Sequence, residues 1–329
     1  RLVNVKVAND CSSHLNNRFR NIEGQFDTTF MCEFSTDMLF PPGEGYLFQV
    51  APVIKYGGRL LYSEATQPGM ILYDDMIIEN SAVLTINGVY SSKGNITVKS
   101  GGIINGSNGK IQFVEGKKLI IEGNGSLAGS GGGKLELVFA APLQDETTGI
   151  QIKAGGSLTI SNCKVENATI GINSLVNANY LNAQNVDFIN CEDYSISIAD
   201  RSAGMNPTPP PQITGCTMLN SNYGIAISNS PGMVIYDNDI TNTACGIYLS
   251  NVTDAQIIGN TIISNREEYP GMWIFSSGGA IRANHISGHT NGVHFANSSM
   301  ILGSNVITAN KFHGLYIADG SRPYMRQGQ

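Results

Sequence analysis

The chain has 329 residues, a formal net charge of −6 and only 14 % charged residues, against about 25 % in an average globular domain. Without clustered Lys and Arg to neutralise phosphates, nucleic acid is excluded as a partner, and with no apolar run near the roughly 18 residues of a membrane helix, no membrane span is expected. Its 38 glycines, together with abundant Asn, Ser and Thr, point to short strands and tight turns, because these residues satisfy turn backbones that Lys and Glu do not.

The sequence starts at Arg1 rather than Met, and the expectation is a chain processed or cut from something longer. Residues 1–55 form an irregular N-terminal segment or cap, with Cys11, Cys32 and the turn-rich Pro41-Pro42-Gly43-Glu44-Gly45. From residue 56 to residue 160 the strands are clearer than their period. Alternation marks Val83-Leu84-Thr85-Ile86, Ile96-Thr97-Val98, Ile111-Gln112-Phe113, Leu119-Ile120-Ile121, Leu135-Glu136-Leu137 and Leu158-Thr159-Ile160. Gly101-Gly102, Asn105-Gly106, Asn124-Gly125 and Gly155-Gly156 separate them. Asn-Gly steps also suit two-residue antiparallel hairpins, so a meander stands beside a continuous coil at this point.

The plan is plainest between Val234 and Ile317. Four times an Ile or Leu stands three residues before an Asn, an apolar residue follows two after it, and a strand of the form Gly-φ-x-φ, φ being apolar, comes next. The Asn residues are Asn238, Asn260, Asn284 and Asn305, spaced by 22, 24 and 21. That period is too short for helix-pair repeats, and the Ile- and Val-rich slots lack the Leu frame of leucine-rich repeats. Three short strands with turns fill it at ~3.3 Å per residue, each coil pairing in parallel with the next. An inward Asn at a corner would then bond the main chain and the Asn one rung away, a ladder that must be continuous because an unpaired buried amide costs about 1–3 kcal/mol.

Aligned on the Asn, the slot reads Cys163, Val186, Cys216, Asn238, Asn260, Asn284, Asn305, and four residues on a second polar column reads Asn167, Asn190, Asn220, Asn242, Ser264, Gly288. Cys163 and Cys216 lie two rungs apart, about 10 Å, too far for a disulfide, and are expected as buried fillers; Cys11 and Cys32 are the plausible disulfide partners. Two insertions interrupt the spacing. Pro207-Thr208-Pro209-Pro210-Pro211 stretches one repeat to 30 residues and must bulge outward, and the other carries Arg266-Glu267-Glu268-Tyr269-Pro270.

The Ile-x-x-Asn-x-Ile and Gly-Ile-x-Leu phrases resemble the parallel β-helix repeats of the pectin-lyase-like superfamily, in the form common in secreted bacterial proteins. The resemblance covers residues 155–320 well and 80–155 loosely. It implies an all-β fold, a right-handed single-stranded parallel β-helix of 21–24 residues per rung over residues 56–329. Because that scaffold serves lyases, hydrolases, epimerases, adhesins and spacers, it implies no single activity.

A polyuronate lyase would need outward carboxylates on neighbouring rungs for calcium, plus a Lys or Arg beside the acidic proton. The column after the Asn slot reads Lys164, Asp187, Thr217, Asp239, Thr261, His285, Val306, with its two Asp about 10 Å apart, so no metal site is assigned and calcium is only a minor expectation. Val186-Asp187-Phe188-Ile189 is similar to a fragment of the pectin methylesterase phrase without its companions. Likewise Asp74-Asp75 and Gly288-His289-Thr290 stand without the rest of the glycoside hydrolase series. The outward slot of the Gly-φ-x-φ strand is more telling. It reads Ala226, Tyr248, Trp273, His294, Tyr316, four rings in a strip about 15 Å long, suited to stacking on sugars and equally to stabilising neighbouring strands.

The expected function is a secreted, non-catalytic module, structural or adhesive at the cell surface, contacting glycan through Tyr248, Trp273, His294 and Tyr316; the alternative is a polysaccharide lyase or glycoside hydrolase. After Ile317 no cap is evident, so the C-terminal end is expected to meet further rungs, another domain or a neighbouring subunit.

Overall fold

The structure, a computed structural model, describes residues 57–66, 68–140, 147–200 and 210–325, together with the backbone of the strands Val3–Lys6, Glu33–Thr36 and Ile54–Lys55. Val3–Lys6 and Glu33–Thr36 pair antiparallel. Cys11 and Cys32 and most of the first insertion lie outside the described residues.

From Ile54 to Met325 the chain coils through three twelve-stranded sheets, each strand pairing in parallel with those one rung away. No helix forms among the described residues. The result is a right-handed parallel β-helix, with the Gly-φ-x-φ strands on one sheet, here the ring-bearing sheet. A second sheet follows the Asn slot and a third precedes it. The hairpin alternative fails: Asn105-Gly106 and Asn124-Gly125 lie inside the parallel strands Ile103–Gly106 and Asn124–Gly129 rather than at turns.

Period-two alternation explains the coil. In Cys245–Ser250, Ile247 and Leu249 are fully buried while Tyr248 between them faces out. Registry stacks Ile225, Ile247, Met272, Val293 and Leu315 in one interior column and Ile227, Leu249, Ile274, Phe295 and Ile317 in another. Each fully buried member removes from water a side chain worth about 1.5–3 kcal/mol. Ile317, expected inside, is 48 % exposed, its strand His313–Ala318 pairing with one described neighbour, Asn291–Ala296.

The Asn column is a continuous ladder. Each side-chain amide donates to the next Asn Oδ1, at 2.8 Å from Asn238 to Asn260, 2.9 Å from Asn260 to Asn284 and 3.0 Å from Asn284 to Asn305. Each also donates to the carbonyl of an interior Ile one rung back, Ile213, Ile235, Ile257 and Ile281 in turn. The same Oδ1 atoms accept the backbone N–H of the preceding rung's slot residue, beginning with Cys216.

Asn167, Asn190, Asn220 and Asn242 serve a different end: all four have φ near +60°, where Asn replaces Gly because its short polar side chain bonds locally. Their exposed amides form a second ladder, Asn242 to Asn220 at 2.7 Å and Asn220 to Asn190 at 3.0 Å. Ser264, aligned to the same column, departs from it. It is buried and donates to the Thr243 carbonyl at 2.7 Å, because the second insertion leaves the corner there instead of turning.

Cys163, Cys191, Cys216 and Cys245 are all buried and unbridged. Burial pushes the thiols of Cys163 and Cys191 up to about 12 and that of Cys216 up to about 11.

Candidate functional site

The ring-bearing sheet carries the candidate site on its outer surface. Tyr248, Trp273, His294 and Tyr316 come together in register on successive rungs. Their ring centroids are separated by 5.7 Å from Tyr248 to Trp273, 5.8 Å from Trp273 to His294 and 4.8 Å from His294 to Tyr316. The rings alternate in attitude: Trp273 and His294 are stacked at 12°, whereas Tyr248 and Tyr316 meet their neighbours at 81° and 86°.

Three more tyrosines join the row. The position immediately before the Gly of the repeat is occupied by Tyr223, and Tyr194 stands over it one rung earlier, stacked at 5.1 Å. Tyr269 arrives from the second insertion and packs between Tyr223, at 6.0 Å, and Trp273, at 6.2 Å. Trp273 therefore has a stacked ring on either side, Tyr269 and His294, which braces it and leaves its edge to solvent. The insertion is itself pinned. Arg266 donates to the Ser221 carbonyl at 3.1 Å and to Asn222 Oδ1 at 3.0 Å, with Glu268 beside it. Lys311 holds Glu267 at 2.9 Å.

Side-chain size along one column then makes a trench. In the outward slot Ser197 and Ala226 precede Tyr248, so two rungs of small residues meet a wall of ring. Tyr194 and Tyr223 form one bank, Val176, Asp200, Ser228 and Asn229 the other, and Tyr248 with Trp273 closes the end of a space of about 620 Å³. Burial, and then Asp193, raises the pKa of Tyr194, and burial takes Tyr223 to about 12, so both phenols keep their protons as donors. Burial lowers the pKa of His294, favouring the neutral ring.

Four carboxylates lie on strands of the sheet after the Asn slot, and each is occupied: Lys110 holds Glu136 at 2.9 Å, Lys134 holds Asp187 at 2.7 Å and Lys164 holds Glu166 at 2.8 Å. Asp239, aligned with Asp187, accepts from Thr241 of its own strand at 2.8 Å. Asp75 and Asn95 bond one another across a rung, with Asp74 capping the Asp75 amide, which makes the Asp74-Asp75 pair part of a turn. His289 is sealed in the core beneath Gly271, both ring nitrogens lacking a hydrogen bond of good geometry, and burial takes its pKa down to about 4, against a weaker opposing effect of the Ala244 and Tyr269 carbonyls.

Comparison with solved structures places this coil among parallel β-helices. The periplasmic alginate epimerase AlgG is 18 % identical, with 82 % of this chain and 68 % of that one aligned at a TM-score of 0.50, a likeness of fold. The A-module of mannuronan C-5 epimerase AlgE6 from Azotobacter vinelandii aligns at 13 % identity over 82 % of this chain and 90 % of its own, with a TM-score of 0.37. Among curated proteins no sequence matches this chain.

A family model described as "Periplasmic copper-binding protein (NosD)" matches residues 71–270. Copper in a protein asks for converging thiolate, thioether or imidazole ligands. Among the described residues no three of His, Cys, Asp and Glu converge, the four buried thiols hold their protons in separate rungs, and the buried imidazole of His289 lies beside the Ala244 and Tyr269 carbonyls. The described His, Cys, Asp and Glu residues therefore do not make a copper centre. The family itself is settled by the extent of the match, more than half of the sequence and most of the regular coil: this chain belongs to the NosD family.

Proposed function

We propose that the protein is a periplasmic or secreted, non-catalytic module that binds a glycan chain in the trench of its ring-bearing sheet. The location follows the family description and the name of AlgG, both periplasmic. The reading rests on one observation above all: Tyr194, Tyr223, Tyr248 and Trp273 enclose a site whose opposite bank supplies hydroxyl and amide groups, the combination that takes an apolar sugar face and its hydroxyl rim together. Tyr248, set across the end of the trench, is the ring that offers a face, and Trp273, braced by its neighbours, holds it in place. Against catalysis, Asp200 is the one carboxylate among the described lining residues and no Lys, Arg or His is among them, so the acid-base pair that cleavage or epimerisation requires is missing from the described lining.

A glycan array run beside a polysaccharide-degradation screen tests this. Binding is expected to fall about fivefold or more in Tyr248→Ala and by a smaller factor in Trp273→Ala, with no product released from any polymer. Release of unsaturated or reducing ends would end the non-catalytic reading, and unchanged binding in Tyr248→Ala would remove the trench from it.

A further inference from the structure

Resting on the glycan reading, we infer that the trench selects a glycan bearing protonated amines over its neutral and acidic counterparts. The argument is one of charge and ring geometry. Asp200 stands on one bank, and on the other Asp193 is close enough to Tyr194 to help raise its pKa, while no Lys, Arg or His is among the described lining residues. Arg266, in the insertion that brings Tyr269 to the rings, is spent on the Ser221 carbonyl, Asn222 and Glu268. A uronate entering here would meet like charge, with no Lys, Arg or His among the described lining residues to neutralise it.

An ammonium meets the opposite. Tyr223 and Tyr248 stand at 74° to one another and Tyr248 and Trp273 at 81°, so Tyr248, unlike Tyr223 and Trp273, has no described ring stacked on its faces. A cation over such faces is attracted by the ring quadrupole, most strongly where water is thinned, and a carboxylate across the trench completes the recognition. The floor of Ser197 and Ala226 is two rungs long, about 10 Å, room for one or two sugar units before Tyr248 stops the chain. That wall means a chain end is held rather than the middle of a polymer threaded through.

The test uses three hexamers at about pH 6: β-1,4-linked glucosamine, its fully N-acetylated form and galacturonate. Calorimetric titration at low salt is expected to show the glucosamine hexamer binding at least about fivefold tighter than the acetylated one, with galacturonate weakest. The gap should narrow in Asp200→Asn and at about 0.5 M salt, since the contact is exposed and screened. Equal or tighter binding of the acetylated hexamer, or preference for galacturonate, would overturn the amine inference while leaving glycan binding intact. If the protein binds none of the three and no glycan on the array, the glycan reading itself falls and takes this one with it.

Discussion

Replacing Asn260 by Ala strikes the inner ladder where it is fully dry. Asn260 is 0 % exposed; its amide donates to Asn284 Oδ1 at 2.9 Å and to the Ile235 carbonyl at 3.0 Å, and its Oδ1 accepts the Asn238 backbone N–H at 3.0 Å and the Asn238 amide at 2.8 Å. The Asn238 amide keeps its bond to the Ile213 carbonyl, and Asn284 Oδ1 keeps the Asn260 backbone N–H. That leaves the Asn238 backbone N–H without a partner and the Ile235 and Ile258 carbonyls with one fewer each. At about 1–3 kcal/mol for a buried group so deprived, and counting the Asn238 N–H and the carbonyls as about two such groups, the loss is about 2–6 kcal/mol. Asn242→Ala breaks a ladder of similar geometry on the surface, where water replaces the amide, and should cost under about 1 kcal/mol. Urea unfolding with hydrogen exchange at the Asn238 amide reads both effects. Equal stability losses in the two variants, or an Asn238 amide as protected in Asn260→Ala as in the parent, would refute the account of the inner column as the element that fixes the corner.

Three further outcomes are expected. His289 has a folded pKa lowered to about 4 by burial, so the stability it contributes is fully present above about pH 6.5 and is lost as pH falls from there toward 4; His289→Asn, matching Asn310 in the same slot one rung on, should flatten the urea-midpoint profile in that window, worth at most about 3 kcal/mol. Gly246→Ala would put a Cβ 2.3 Å from Ile262 Cγ2 and 2.7 Å from the Gly271 carbonyl, a loss of about 1–3 kcal/mol or more, whereas Gly314→Ala, in the same slot of the last described rung with nothing nearer than 3.6 Å, should stay within about 0.5 kcal/mol by the same assay. Cys163, Cys191 and Cys216, with thiols held at about 11 to 12, should resist iodoacetamide at about pH 8 in the folded protein and react on unfolding, as peptide-level mass spectrometry would show; fast native labelling would contradict their burial.

Much of this was legible before the coil was seen. The Asn slot and the Gly-φ-x-φ strand fixed registry from Ile225 to Ile317, because a period-two strand inside a constant rung gives each residue one face and one neighbour. Tyr248, Trp273, His294 and Tyr316 emerged from that same registry. Tyr194 and Tyr223 were missed because their slot, one residue before that of the repeat Gly, holds the fully buried Cys245 and then Pro270, Asn291 and His313 in later rungs, which hides the column. Tyr269 was beyond reach, since an insertion has no registry and only its anchors, Arg266 and the Lys311–Glu267 pair, return it to the rings. The trench itself was written as an absence, Ser197 and Ala226 where later rungs carry rings, and a missing side chain leaves no motif.

That step in one column has a consequence for how such a protein changes. Because all rungs share one backbone path and each touches only its neighbours, the place where the trench ends is set by which rung first carries a ring in the outward slot, Tyr248 here. Exchanging the two side chains, Ala226→Tyr with Tyr248→Ala, would carry the end wall one rung along, about 4.8 Å, without touching the interior columns. Depth, reach and the number of units admitted are then adjustable one residue at a time, like the stops on a ruler, while the coil beneath stays the same.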